Sequence, residues 1–348
     1  MTPRLSASIS GVPAKMLAVF PFLTVAAAYI VMVRCLYGNG LVPKLHTVCG
    51  ASVEGESFPT RIAYTNIPAL DLNICTIVTF YHGLMNTTYR PLLILMCTTL
   101  SAIAIIPFAE ATREYHSKPL KMPATICMIF QLCSCAVVMP IYWFAFALTG
   151  GTTRRSDRIT QGNAEALLFA LVVGYAIPTV CMVVFEDPVV TAIWQFFPLF
   201  MKSAQWAHSK IRPPSHHTGS GYGTVQAMYM LVYVSSAYLH VAHVWPLFND
   251  PALVQMLIVP PTAPLDPSAI SVAEGVAAFL KWDMAFAAGS TILMTLWFAR
   301  SLTSFTVLIL WHVSATFIVG PAAAIAGVMM WREATIDAQA ISKAEKAQ

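Results

Sequence analysis

Apolar and polar positions alternate along this chain in long blocks rather than residue by residue. A bilayer-crossing helix needs about 20 mostly apolar residues, and nine runs approach or exceed that length. The first is about Met16 to Val33, followed by a long polar loop, Arg34 to Asn66, that contains Glu54 and Glu56. The second is Ile67 to Leu84, closed by Arg90-Pro91, and the third runs from Leu92 to Ala109. The fourth covers Pro123 to Leu148 and the fifth Ala164 to Phe185. Glu186-Asp187-Pro188 hinges into a more amphipathic sixth run, Pro188 to His208. The seventh is Thr224 to Phe248, the eighth Val272 to Phe298 and the ninth Leu302 to Met330. Ala252 to Val259, inside a proline-rich connector, is too short to cross and reads as interfacial or re-entrant. The sixth run is the weakest, so eight spans fit as well as nine.

Strand-like alternation is absent, and lipid admits only helices or closed barrels because every backbone polar group needs an internal partner. The pattern predicts an all-α, polytopic integral membrane bundle of eight or nine transmembrane helices. It forms one domain across residues 1–348, with a short polar segment at 1–15 and a polar tail at 332–348. No 20–50-residue period repeats, which excludes a solenoid.

Composition sharpens this. Only 10% of the 348 residues are charged and 57% are hydrophobic, against about 25% charged in soluble domains. The formal net charge of +4 is small and its carriers sit in loops, which points to membrane topology and not to nucleic acid. Nine alternating spans place the loops near 90, 154, 210 and 300 on the side of the N-terminus. Arg90, Arg154, Arg155, Arg158, Lys210 and Arg212 then favour a cytosolic N-terminus, whereas Lys44, Arg61, Lys118 and Lys121 fall on the other side. The first run lacks a cleavage-type sequence and reads as a retained anchor in a multi-pass protein of the endoplasmic reticulum. The eight cysteines lie mostly in apolar runs and read as small core residues, not as a disulfide framework.

Acids inside apolar runs are the candidate chemistry, since a carboxylate in hydrocarbon costs about 2.5–3.5 kcal/mol. Asp71, Cys75 and His82 share one face of the second run. Asp71 either faces the bundle interior or caps its helix at headgroup depth, because Pro68 marks a start three residues earlier. Asp283, in FLKWDMAFAAGS, lies roughly 10 Å inside a helix starting near Val276, and Lys281 is not on its face. It is either a functional acid or the lock between two helices. Asp187 suits an N-cap before Pro188, Glu186 is a lesser candidate acid, and Glu110 reads as a headgroup-level residue. Glu165 and Glu274 look like helix-start acids. Tyr81, Tyr142, Trp143 and Trp282 accompany the acids; interfacial belts explain many membrane aromatics, but Trp282 beside Asp283 and the Tyr142-Trp143 pair suit a binding chamber better. His240 and His243 lie one turn apart below Ser236, and His312 shares a face with Thr316, arrangements that also suit interhelical hydrogen bonds.

Several chemistries find no residues. The nine histidines hold only the His216–His217 pair and the HVAH pair, and the seven aspartates are scattered, so neither a metal centre nor a magnesium-held diphosphate is expected. No Walker A, dinucleotide-binding glycine pattern or Gly-x-Ser-x-Gly elbow occurs, and no cofactor is expected. Acid chemistry on a lipophilic substrate remains. A carboxylic acid kept protonated by apolar surroundings can open an epoxide or protonate an alkene. Aromatic faces stabilise the resulting cation, and a dry pocket delays its quenching by water.

The length, the eight-or-nine-span layout, the IPALDLNICTIVTFYHG segment after a long first loop and the late WD of LKWDMAFAAGS together resemble fungal integral-membrane terpene cyclases of meroterpenoid pathways, in particular those of ascochlorin and ascofuranone biosynthesis. The better known seven-span cyclases are shorter. The resemblance implies protonation-started, metal-free cyclisation of a farnesyl or similar prenyl chain on an aromatic core. The partners expected are a lipophilic prenylated small molecule and membrane lipid. On the burial argument, Asp283 is the candidate acid, Asp71 its partner or the deprotonating base, and Glu186 a lesser acid. Trp282, His82, Tyr81, Tyr142, Trp143, His240 and His243 are the candidate substrate contacts. Two other classes stay open: a transporter or lipid-binding protein with Asp71, Asp283, His240 and His243 along a proton or substrate path, and a noncatalytic scaffold for pathway enzymes. Matching broken helices in two halves would favour transport, and no such symmetry is visible in the sequence.

Overall fold

A computed structural model of the chain describes residues 17–50, 59–113, 118–149, 151 and 158–347. The polar segment 1–15, Glu54, Glu56, Arg154 and Arg155 lie outside the described residues. Within them the chain is helical, and the sole β feature is an isolated Thr160–Ser220 bridge. In chain order the helices are α1 (Val19–Gly38, partly π-helical), α2 (Leu41–Gly50), α3 (Pro68–His82), α4 (Arg90–Ala111), α5 (Pro123–Leu132), α6 (Cys135–Leu148) and α7 (Gln161–Phe185). There follow α8 (Pro188–Trp194), α9 (Phe197–Ile211), α10 (Tyr222–His243), α11 (Pro251–Leu257), α12 (Val272–Leu296), α13 (Leu302–Ile318) and α14 (Pro321–Ala347). Five helices are long and apolar enough to cross a membrane: α1, α4, α7, α10 with its extension to Asn249, and α12.

Local chemistry sets the helix starts. Proline occupies the first turn of α3, α4, α5 and α8, where its missing N–H is no loss. Asp187 caps α8 as its position before Pro188 predicts, accepting from the Val189 and Val190 amides at 2.8 and 3.0 Å. Glu274 is a helix-start acid as expected, closing a capping box with Ser271. Gly174 lets α7 and α9 cross: a Cβ there would lie 2.4 Å from the Met201 backbone. The hairpin is sealed by Glu165, which receives the Arg212 Nε–H at 2.6 Å.

Side-chain links sort the helix ends into two levels. At the first, Arg90 pairs with Glu186, Gly83 backs onto Ala273, and Tyr89 and Glu274 line one cavity. The starts of α4 and α12 and the end of α7 therefore share this level. It carries Asp71, Asp187, Asp250 and Asp266 as well, and we call it the acidic end. At the other end Glu110 and Arg113, where α4 finishes, meet Arg332 and Glu333 of α14. The Arg332 guanidinium lies over Phe298, just past α12, and near Phe146 of α6. Lys121, Arg158, Arg212 and Arg300 flank this basic end.

Two expected spans change in this frame. The second, Ile67 to Leu84, forms the 15-residue α3, which is not among the helices long enough to cross. Leu41 of α2 packs on Gly275, Gly83 after α3 packs on Ala273, and Tyr89 returns to the same level, which sets these residues at the acidic end. A Cys49–Cys75 disulfide ties α2 to α3, which corrects the reading of those cysteines as plain core residues. The fourth, Pro123 to Leu148, is two helices folded back on each other. Ala136 and Trp143 of α6 bond Asp283 and Thr291 of α12, so α6 runs parallel to α12 and ends at the basic end. α5 starts at that same end, ten residues after Arg113, and Cys127 lies against Ala104 of α4. The sequence hides the fold-back because both arms are equally apolar.

Glu110, in the last turn of α4, is fully buried and not solvated: it takes the Arg332 guanidinium on both oxygens at 2.5 and 3.1 Å and Arg113 Nε at 3.1 Å.

Candidate functional site

The tip of the α5–α6 hairpin meets Asp283 near the middle of α12. Eleven residues separate Val272 from Asp283, about 16 Å along the axis. The helix therefore begins a turn earlier than expected, and the carboxyl sits deeper. Asp283 is 5% exposed. Its Oδ1 receives the Ser134 hydroxyl at 2.5 Å and the Ala136 amide N–H at 2.8 Å. Ser134 is the residue before α6, so the carboxylate from one helix caps the opened start of another, where the unpaired amides concentrate partial positive charge. No described residue bonds Oδ2, and no cation pairs with the group.

Tyr81 approaches from α3 and reaches the end of α5 through its hydroxyl. Gln131, in the last turn of α5, donates through Nε2 to the Tyr81 hydroxyl at 3.2 Å and to Gln195 Oε1 at 2.6 Å. Gln195 in turn donates to the Thr191 carbonyl, whose side chain meets His82 Nε2 at 3.0 Å. Rings close the junction. Tyr81 stands edge-on to Trp194 at 5.1 Å, Phe80 edge-on to Phe279 at 5.2 Å, and Trp194 leans on Phe197 at 5.5 Å. Such pairs add about 0.5–1.5 kcal/mol each beyond burial, and their faces also suit a carbocation.

Of the residues singled out from sequence, Asp283, Tyr81 and His82 come together here. Asp71 is at the acidic end, its Oδ1 held by the Thr65 amide and hydroxyl at 2.7 and 2.6 Å. Among the described residues no hydrogen bond or ion pair joins it to Asp283. Glu186 ends α7 in a left-handed turn and pairs with Arg90. Trp282 points away from Asp283, donating to the Pro261 carbonyl at 3.0 Å beneath Arg34. Tyr142 and Trp143 pack one to two turns toward the basic end, with the Trp143 indole N–H on Thr291 at 2.9 Å. His240 bonds the Phe317 carbonyl at 3.1 Å against Gly320, and His243 is half-buried on the same helix, so neither reaches the junction. His312 bonds Thr295 at 2.7 Å, the interhelical role expected of a membrane histidine. Sequence reading missed Gln131, Ser134 and Gln195. For the first two the available signal was the polar QLCS interruption inside the fourth apolar run. Among the described residues no three His, Cys, Asp or Glu side chains gather as a metal set would.

Comparison with known proteins meets this geometry. A stretch of 179 residues, 45% of the chain, is 23% identical to terpene cyclase alnG of Emericella nidulans. That alignment spans 49% of the relative, about half its length. No solved structure matches the chain. The CtvD domain matches residues 15–336, nearly the whole sequence. This chain, with its buried aspartate at a folded-back helix tip, belongs to the CtvD-domain family.

Proposed function

We propose that the protein is a membrane-bound terpene cyclase of meroterpenoid biosynthesis, which starts cyclisation by protonating a prenylated, lipophilic substrate. The observation that carries this reading is the asymmetric, buried Asp283 carboxyl: two donors on Oδ1 and, among the described residues, none on Oδ2. In its acid form the group hands the Oδ2 proton to an epoxide oxygen or a terminal alkene carbon. The Ser134 hydroxyl, the Ala136 amide and the start of α6 then stabilise the carboxylate left behind. Ring closure follows as the next double bond attacks the tertiary cation, while Tyr81, Trp194 and Phe279 exclude water and face the charge. A proton lost at the end restores the acid, so substrate and product have equal mass. His82 orients the junction through Thr191 and Gln195. Asp71 stays at the acidic end on Thr65 and takes no part in this proton cycle, and Glu186 holds the α4 and α7 ends together through Arg90.

Topology completes the proposal. The passages are α1, α4, α7, α8–α9, α10, α12, α13 and the first half of α14, eight in all, with α5–α6 re-entrant. The basic end faces the cytosol. The disulfide at the acidic end suits the oxidising lumen of the endoplasmic reticulum. With α3 not crossing, α4 brings Lys118 and Lys121 to the basic end, which removes their conflict with the charge rule.

The test is expression in a heterologous fungal host fed a prenylated, epoxidised phenol. A product of unchanged mass and new retention time supports the cyclase; unaltered substrate, with the protein present in membranes, removes it. One observation favours a second reading. A half-helix start aimed at a buried carboxylate is also how transporters build binding sites, and pH-driven uptake into vesicles without product would select that reading.

A further inference from the structure

A cavity of about 300 Å³ lies at the acidic end, between the proline-rich connector, Tyr89 and the first turns of α12. It is a different place from the Asp283 junction. Lys281 lines it, and two helical residues separate Lys281 from Asp283, a rotation of about 200°, so the two side chains leave opposite faces of α12.

Its chemistry is dipolar. Lys281 is 9% exposed, and among the described residues no carboxylate pairs with it. Its ammonium donates to the Met256 and Gln255 carbonyls at 2.9 and 3.4 Å, which leaves one of three donors unused. A buried ammonium is strongly disfavoured unless an anion accompanies it. Two carboxylates stand nearer the surface. Glu274 is fixed through Oε2 by the Ser271 amide and hydroxyl, both at 2.8 Å, and Asp266 through Oδ1 by those of Ser268. Lys44, whose ammonium donates to the Ile270 carbonyl, lies near both carboxylates, and the Ala269 amide also reaches Asp266. The intervening wall is apolar, formed by Met256, Leu265, Ile270, Ala277 and Ala278. A cation seven residues deeper than an acid on one helix lies about 10 Å below it, before the side chains reach toward each other.

We propose that this cavity binds the headgroup of a zwitterionic phospholipid. The phosphate takes the spare Lys281 donor and the Tyr89 hydroxyl. The ammonium lies outward between Glu274 and Asp266, and the glycerol and upper acyl chains cover the apolar wall. Phosphate lies deeper than ammonium in a bilayer leaflet, the order in which the site presents its charges. This site is independent of the reaction assigned to Asp283.

The test measures thermal unfolding of the full chain in neutral detergent with short-chain phosphatidylethanolamine, phosphatidylglycerol, diacylglycerol or soluble glycerophosphoethanolamine added. Phosphatidylethanolamine should raise the midpoint by several degrees, and the other three should raise it less than half as far. Equal stabilisation by phosphatidylglycerol would overturn the role of the acids. Equal stabilisation by diacylglycerol would reduce the site to acyl packing, and by the soluble headgroup would remove the membrane-lipid assignment. Lys281→Met should abolish the selective shift. Should that variant fail to fold, Glu274→Gln, which retains the capping-box acceptor, serves instead: it should remove the preference over phosphatidylglycerol, and an unchanged preference would overturn the proposal.

Discussion

Two buried polar regions lie about 20 Å apart along α12, and they solve the problem of charge in an apolar interior in opposite ways. At the basic end, among the described residues, the carboxylates of Glu110 and Glu333 pair with the guanidinium groups of Arg113 and Arg332. The Arg332 plane stacks on Phe298 at 4.6 Å, and α4 is tied to α14. At the hairpin tip a single carboxyl meets, among the described residues, a hydroxyl and an amide, both on one oxygen. A balanced cluster holds helices and leaves little reactivity for a substrate. A lone carboxyl with an open oxygen contributes little to stability but has a proton to give. The difference teaches that partner count, more than burial, separates a structural acid from a chemical one here.

The largest expected effect tests the balanced side. Glu110→Gln leaves two buried guanidinium groups short of their shared carboxylate and should cost about 3–5 kcal/mol. It would be read as a large drop in unfolding midpoint and membrane accumulation, with turnover per folded molecule unchanged. Loss of turnover at normal accumulation would break the comparison. Removing the α2–α3 tie by Cys49→Ser should destabilise by about 3 kcal/mol on chain-entropy grounds. Because α3 supplies Tyr81, protease sensitivity should rise there while the ionic end stays protected. Ser134→Ala tests the open carboxyl: a hydrogen bond to a charged group contributes about 1.5–3 kcal/mol, so turnover should fall roughly 10- to 100-fold at unchanged accumulation. Gln131→Leu should have the smallest effect. It frees the Tyr81 hydroxyl from a neutral bond of about 0.5–1.5 kcal/mol, lowering turnover several-fold and broadening the product mixture.

The same contrast explains what the sequence could convey. Helix class, the apolar blocks and the burial of Asp283 were legible because each depends on local pattern: run length, and an acid with apolar neighbours. The cap at Asp187 and the helix start at Glu274 were legible for the same reason. Partners were not. Glu110 reads as a headgroup acid until Arg332, 222 positions later, is brought against it. Asp71 shares a helical face with His82 in sequence, yet Thr65 holds it at the surface. The fold-back at Gln131–Ser134 resembles a mild polar break in a span because hydropathy records depth but not direction. The Cys49–Cys75 bond joins a polar loop to an apolar run, a pairing that spacing alone does not suggest.

The central claim, that the unpaired acid at the hairpin tip performs the chemistry, is tested most directly by comparing Asp283→Asn with Asp71→Asn. Product formation would be measured at equal amounts of membrane-inserted protein. The account predicts that Asp283→Asn loses about 10²- to 10⁴-fold in turnover, the usual worth of a positioned acid, with normal accumulation, while Asp71→Asn keeps most of its activity. Near-normal product from Asp283→Asn would contradict it.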